Sequence, residues 1–262
     1  MVVAANEVEW SQYLAAMTLV IVRLSGVLVF VPFFSSNALP TRAKAAFVLA
    51  VAFLISPLVA TLPLAHAEIN FTALLGELSV GLLYGLSLTL LSEMMIFAGQ
   101  ILGMQFSYSM VNIMDPTSNI QNPLLGDLFQ LFGILVIIGA GLDRILLASV
   151  IRSFRAAPLG TFALQPQAAL EIVHAAGGIF LAALELAAPV LAATMLIEFA
   201  VALMGKLSPQ LPVTSLTVPL KTLVGFAILI GSLALWPRFI EARFSNLLDM
   251  AERLISLPAH GA

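Results

Sequence analysis

The stretch from Phe71 to Phe106, FTALLGELSVGLLYGLSLTLLSEMMIFAGQILGMQF, limits the possible folds more than any other part of the chain. It contains no proline, and its only charges are Glu77 and Glu93. A run this apolar must be buried in protein or lie in lipid. It also exceeds the ~20 residues, up to ~25, that a helix needs to cross a bilayer. Two readings follow: one overlong, strongly tilted helix, or two helical halves meeting near Ser92–Glu93. Gly81 and Gly85, like Gly99 and Gly103, form small-xxx-small pairs that let neighbouring helix backbones approach closely.

The rest of the chain has the same character. Apolar residues make up 61% of it and charged residues 10%, against ~45–50% and ~25% in soluble domains. An ordinary core would leave most of this surface in water. The fold class is therefore an all-α membrane protein of kinked apolar helices and helical hairpins. There is no cysteine, so thiol catalysis and iron–sulfur ligation are excluded, and the net charge of −3 offers nothing to nucleic acid.

Further apolar segments run from Tyr13 to Phe34 and from Ala45 to Leu64, the latter with Pro57 bending its far part. Leu128 to Leu142 is apolar and passes into an amphipathic stretch carrying Arg144, Arg152 and Arg155, which Pro158 and Gly160 end. The polar link TFALQPQAAL, from Thr161, is the best internal boundary. Beyond it, Ala175–Leu203 and Val213–Trp236 read as a hairpin turning through Lys206, Ser208, Pro209 and Gln210. The tail repeats Ile240, Phe244, Leu247, Leu248, Ala251 and Leu254 at helical spacing, which marks an amphipathic helix.

Loop charges do not settle the topology. An acidic start and a basic first link place Arg42 and Lys44 inside. Simple alternation then puts the Arg144–Arg155 cluster and the basic tail outside, against the positive-inside rule. Some apolar segments are therefore expected not to cross the bilayer conventionally.

Catalytic constellations are missing: there is no H-E-x-x-H, no phosphate-binding glycine loop and no G-x-S-x-G elbow. His66, His174 and His260 are far apart, and no metal or other cofactor is expected. Two charged features stand out instead. Arg23 lies at the centre of the first apolar segment, where an isolated Arg costs about 2.5–3.5 kcal/mol. It is expected to dock onto a carbonyl or acid of a neighbouring subunit. Glu198 lies as far before the hairpin turn as Lys221 lies after it, so an antiparallel hairpin sets them at similar depth. They form either an intramembrane ion pair or separate contacts to a partner or a watery cavity.

One segment stays apolar in neighbourhood yet polar in content. Met104 to Asp127, MQFSYSMVNIMDPTSNIQNPLLGD, is rich in Met and amides and carries two charges, both acidic. Asn112, Asn119 and Gln121 can satisfy non-helical backbone, Phe106 and Tyr108 supply bulk, Met110 and Met114 repack easily, and Asp115–Pro116 signals a turn. On residues alone, it is either an ordinary inter-helix loop or a segment lining a cavity.

Four motifs in order, GQILGMQFSYSMVNIMDP (Gly99–Pro116), SFRAAPLG (Ser153–Gly160), LSPQLPV (Leu207–Val213) and VPLKTLVG (Val218–Gly225), resemble those of the FliR family, the R-type subunit of the bacterial flagellar export gate. The resemblance covers nearly the whole chain. It implies a non-enzymatic channel subunit in the bacterial inner membrane, within the flagellar basal body. Implied partners are FliP-type and FliQ-type gate subunits, an FlhB-type subunit, the lipid membrane and exported unfolded proteins. Residues 1–165 resemble a P-type subunit and 166–262 a Q-type hairpin, and residues 104–127 correspond to the channel plug. In such gates, apolar segments are raised out of the bilayer plane, which would account for the topology conflict. A virulence-secretion homologue shares these motifs. The competing class is a small-molecule secondary transporter, in which Glu77, Glu93, Glu198 and Lys221 serve ion coupling. Transporters usually show repeated halves, and these halves differ in length and motifs.

Overall fold

A computed structural model describes residues 10–30, 40–62, 68–106, 124–162, 166–208 and 213–256. Among these the chain is helical: α1 (Trp10–Phe30), α2 (Thr41–Ala60), α3 (Phe71–Gln105), α4 (Leu124–Gly139), α5 (Leu142–Ala156), α6 (Pro166–Leu207), α7 (Val213–Ser232) and α8 (Trp236–Ser256), with a 3-10 turn at Leu233–Leu235 between α7 and α8. Five stretches are long and apolar enough to cross a membrane, or six if the broken pair α4–α5 counts as one span. The chain is an all-α membrane protein.

The run from Phe71 forms one continuous helix of 35 residues, the first of the two sequence readings. Asn70 caps it: its Oδ1 accepts the Ala73 N–H at 2.7 Å, satisfying a donor that has no partner within the helix. With 42 residues, α6 is roughly 60 Å long at the usual 1.5 Å rise, about twice a ~30 Å hydrocarbon core. It begins at Pro166, inside the stretch expected to be a polar linker. Proline is well suited to the first turn of a helix, where its missing N–H costs nothing.

Two further boundaries differ from expectation. Helix α4 starts at Leu124, so residues 124–127 of the uncharged segment are helical, with Leu125 and Gly126 buried. Asp127 in its first turn complements the helix dipole. The apolar stretch then breaks before α5, where Gly141 takes a left-handed φ of 70°. Only glycine adopts that conformation cheaply, and hydrophobic periodicity does not register it.

The chain packs as two compact units interleaved along the sequence: residues 1–90, 141–174 and 244–262, and residues 91–140 and 175–243. In the first unit, α1 buries Ala16, Leu19, Val20, Arg23 and Val27, a stripe at helical spacing. Gly26 meets Gly81 backbone to backbone: a Cβ on Gly26 would lie 3.0 Å from Leu78 O and 3.1 Å from Gly81 Cα. A Cβ on Gly85 would lie 2.7 Å from Val27 O. Between apolar helices in lipid, the hydrophobic effect gives little drive, so close approach and polar contacts hold them together. Thr89 Oγ1 donates to Phe30 O at 2.6 Å, taking up a terminal carbonyl of α1. The α8 stripe Phe244, Leu248, Ala251 and Leu254 is buried against this unit's own residues, so the amphipathic tail rests on protein.

In the second unit, Gly99 of α3 meets α4: a Cβ there would lie 2.6 Å from Gly126 Cα. Gly103 has only ordinary contact, with Leu125 Cδ1 at 4.0 Å. Phe129 packs edge-on against Trp236, ring centroids 4.6 Å apart. Gln130 Nε2 donates to Ser92 Oγ at 2.9 Å.

Candidate functional site

The strongest polar feature of the first unit is built around Arg23. Its stripe position turns the guanidinium inward, and both Arg23 and Glu77 are 0% exposed. Arg23 Nε donates to Glu77 Oε2 at 2.5 Å, Nη1 to Ser153 Oγ at 3.0 Å and Nη2 to Ala157 O at 2.9 Å. The guanidinium also lies over the Phe154 ring, 4.2 Å from its centroid. Glu77 Oε1 accepts the Gly160 N–H at 3.0 Å. Arg23 was expected to reach a neighbouring subunit. With no exposed surface it docks entirely within its own chain, because Glu77 and the end of α5 present a carboxylate, a hydroxyl and a carbonyl together. Gly81 and Gly85 likewise pack within the chain, on α1.

The motif SFRAAPLG has a local reason in this geometry. Ala157 is extended as α5 ends, Gly160 has φ +74°, and Thr161 N–H donates to Pro158 O at 3.2 Å. The turn therefore aims one carbonyl at Arg23 and one N–H at Glu77. The paired charges thereby link α1, α3 and the turn through hydrogen bonds to both ions, which offsets the cost of burying them. On the surface nearby, a cleft of about 420 Å³ is lined by Tyr84, Arg152, Ser153, Asp249, Glu252 and Arg253. There Ser149 donates to the Glu252 carboxylate, which also meets Arg152 at 3.4 Å and ties α8 to α5.

The second unit holds the hairpin charges. Lys221 Nζ contacts Glu198 Oε1, joining α7 to α6. The Lys221 side chain is 9% exposed and that of Glu198 48%. Arg243 pairs with Glu185 in the same unit. Of the other two charges in the transporter reading, Glu93 is exposed and Glu77 is taken up by Arg23 and the Gly160 N–H. Phe106 is buried, stacked on Phe226 with centroids 4.9 Å apart. Lys206 and Ser208 are exposed. Tyr108, Met110, Asn112, Met114, Asp115, Pro116, Asn119 and Gln121 lie outside the described residues, as do Pro209 and Gln210. His174 is exposed on α6, and no group of three or more His, Asp or Glu fit to hold a metal ion occurs among the described residues.

Sequence reasoning missed Ser153, Ala157, Gly160 and Gly26. Ser153 and Gly160 bound a quoted motif, but no spacing rule connects them to Arg23. Gly26 has no small residue four positions away in α1.

Apolar helices of membrane-spanning length, with a charge pair buried between them, define an all-α membrane protein. A family model described as "Bacterial export proteins, family 1" matches residues 14–247, and the chain belongs to that family. It is similar to proteins named "Flagellar biosynthetic protein FliR". The relative from Escherichia coli (strain K12) is 24% identical over 252 residues, 95% of each chain. That from Bacillus subtilis (strain 168) is 25% identical over 247 residues, 92% of this chain and 95% of the relative. That from Aquifex aeolicus (strain VF5) is 23% identical over 255 residues, 95% and 97%.

Proposed function

We propose that this chain is a non-enzymatic subunit of the bacterial flagellar export gate, helping to form and seal the channel through which unfolded flagellar proteins leave the cell. The observation that carries this reading is the family match over residues 14–247, together with relatives named for flagellar biosynthesis along nearly their whole length. The geometry supports a part in a larger assembly. Helix α6 is too long for one conventional span. Leu196, Phe199, Leu203, Leu223 and Ile230 leave apolar faces of α6 and α7 for lipid or neighbouring helices.

In this reading the chain sits in the inner membrane within the flagellar basal body, beside FliP-type, FliQ-type and FlhB-type subunits. Residues 1–165 act as the P-type-like part and 166–262 as the Q-type-like hairpin. Of residues 104–127, those between the end of α3 and the start of α4 supply the plug, its bulk coming from Tyr108 and its adaptability from Met110 and Met114, while Phe106 is taken up by the hairpin. The Glu198–Lys221 pair lies within the membrane-embedded part of the assembly, where pairing lowers the cost of each charge. No specific observation favours the transporter or the virulence homologue. Two experiments test the proposal. Deleting the gene from its host should abolish secretion of flagellar proteins, and normal secretion would refute the reading. Deleting residues 111–121 should let ions leak through an assembled gate, and unchanged conductance would remove the sealing role.

A further inference from the structure

We infer that the α6–α7 hairpin works as a latch on the end of α3, with Thr194, Gly225 and Phe226 as positioning residues for the segment that begins after Phe106. Three contacts, all within the second unit, converge on the last two described residues before that segment. Gln105 Nε2 donates to Thr194 Oγ1 at 2.9 Å, while the buried Thr194 hydroxyl itself donates back to Val190 O and Leu191 O, each at 3.0 Å. Both capacities of the hydroxyl are therefore used, and its bond to Gln105 is fixed in direction. Phe106 stacks on Phe226 with an interplanar angle of 17°. Gly225 supplies the seat: a Cβ there would run into the Phe106 ring, coming within 2.8 Å of its Cζ even at the second-nearest atom.

Glycine is a poor choice inside a helix, because it loses the most backbone freedom on folding. Its presence at 225 is explained by the ring that takes the space of the missing side chain. The Glu198–Lys221 pair joins the two hairpin helices one turn away from Thr194 on α6 and from Gly225 on α7. The Phe106 N–H still donates to Leu102 O at 2.9 Å, so the helix is intact up to the latch. The end of α3, Gln105 and Phe106, is thus held by the hairpin.

The functional consequence rests on the plug reading above. The test measures solute leak through the assembled gate for the deletion of residues 111–121, Gly225→Val, Phe226→Ala, Thr194→Val and Thr194→Ser. Gly225→Val displaces the ring, and Thr194→Val removes one hydrogen bond at constant shape. Both, with Phe226→Ala, should leak more than wild type while the complex still assembles. Thr194→Val is expected to leak about two- to tenfold more, the change from losing one hydrogen bond. Thr194→Ser keeps the hydroxyl and should stay tight. If the deletion leaks and Gly225→Val, Phe226→Ala and Thr194→Val do not, the latch is refuted and the plug stands. If nothing leaks, both fall. If Gly225→Val and Phe226→Ala fail to assemble, the Thr194 pair decides: equal leak in Val and Ser overturns the latch.

Discussion

Replacing Glu77 with leucine should destabilise the first unit more than replacing Glu77 and Arg23 together. In the single variant Glu77→Leu, Arg23 keeps its bonds to Ser153 and Ala157 but is left fully buried without a counter-charge. Removing one partner of a buried ion pair costs about 3–5 kcal/mol. The double variant Arg23→Leu/Glu77→Leu removes both charges. Both variants take the carboxylate from the part-buried Gly160 N–H, so the double variant adds only the buried Ala157 carbonyl, at about 1–3 kcal/mol for an unsatisfied group. Ser153 retains its bond to Val150 O at 2.6 Å. The chain has no cysteine, so Ala157→Cys provides a unique buried thiol on the clamped turn, and its labelling rate in mild detergent reports opening. At about 1.4 kcal/mol per factor of ten, Glu77→Leu should speed labelling by roughly 10²- to 10³-fold or more. The double variant should speed it less. Equal rates in the single and double variants would refute the reasoning, because the cost would then not come from an uncompensated charge.

The other expectations concern packing and the hairpin. Gly81→Leu drives a side chain into the Arg23 carbonyl and should cost at least the ~1–3 kcal/mol of overpacking. Gly177→Ala, with nothing within 4 Å, should be neutral or stabilise by up to ~1 kcal/mol; thermal unfolding in detergent compares the two. In the hairpin, Glu198→Gln should be worse than Lys221→Met. The first strands a nearly buried lysine, whereas the second leaves a half-exposed carboxylate free to turn to another polar partner; the order of melting temperatures checks this. Trp236→Phe should lie within ~1 kcal/mol of wild type, because it removes a buried indole N–H that has no partner, offsetting the lost ring area.

Local periodicity carried far in this chain. The tail helix was legible because Ile240, Phe244, Leu248 and Ala251 repeat at helical spacing whatever they pack on. The level of Glu198 and Lys221 could be read because two antiparallel helices rise equally from one turn. The helix break at Gly141 was not legible, since an apolar helical pattern passes directly into an amphipathic helical one and only the backbone angle marks the break. Nor was the Arg23 site: Glu77, Ser153 and Ala157 lie far from it in sequence, on elements whose rotation depends on contacts such as Gly26 with Gly81. Arg23 was therefore assigned a partner outside the chain, when the partner is inside.

The central claim is membership of a multi-subunit export gate, and purification of the tagged chain from its host's membranes in mild detergent tests it most directly. The account predicts a stable complex in which two other small polytopic membrane proteins, of the FliP and FliQ types, accompany the chain in fixed ratio by mass spectrometry. A monodisperse chain that purifies alone, folded and without those proteins, would contradict it.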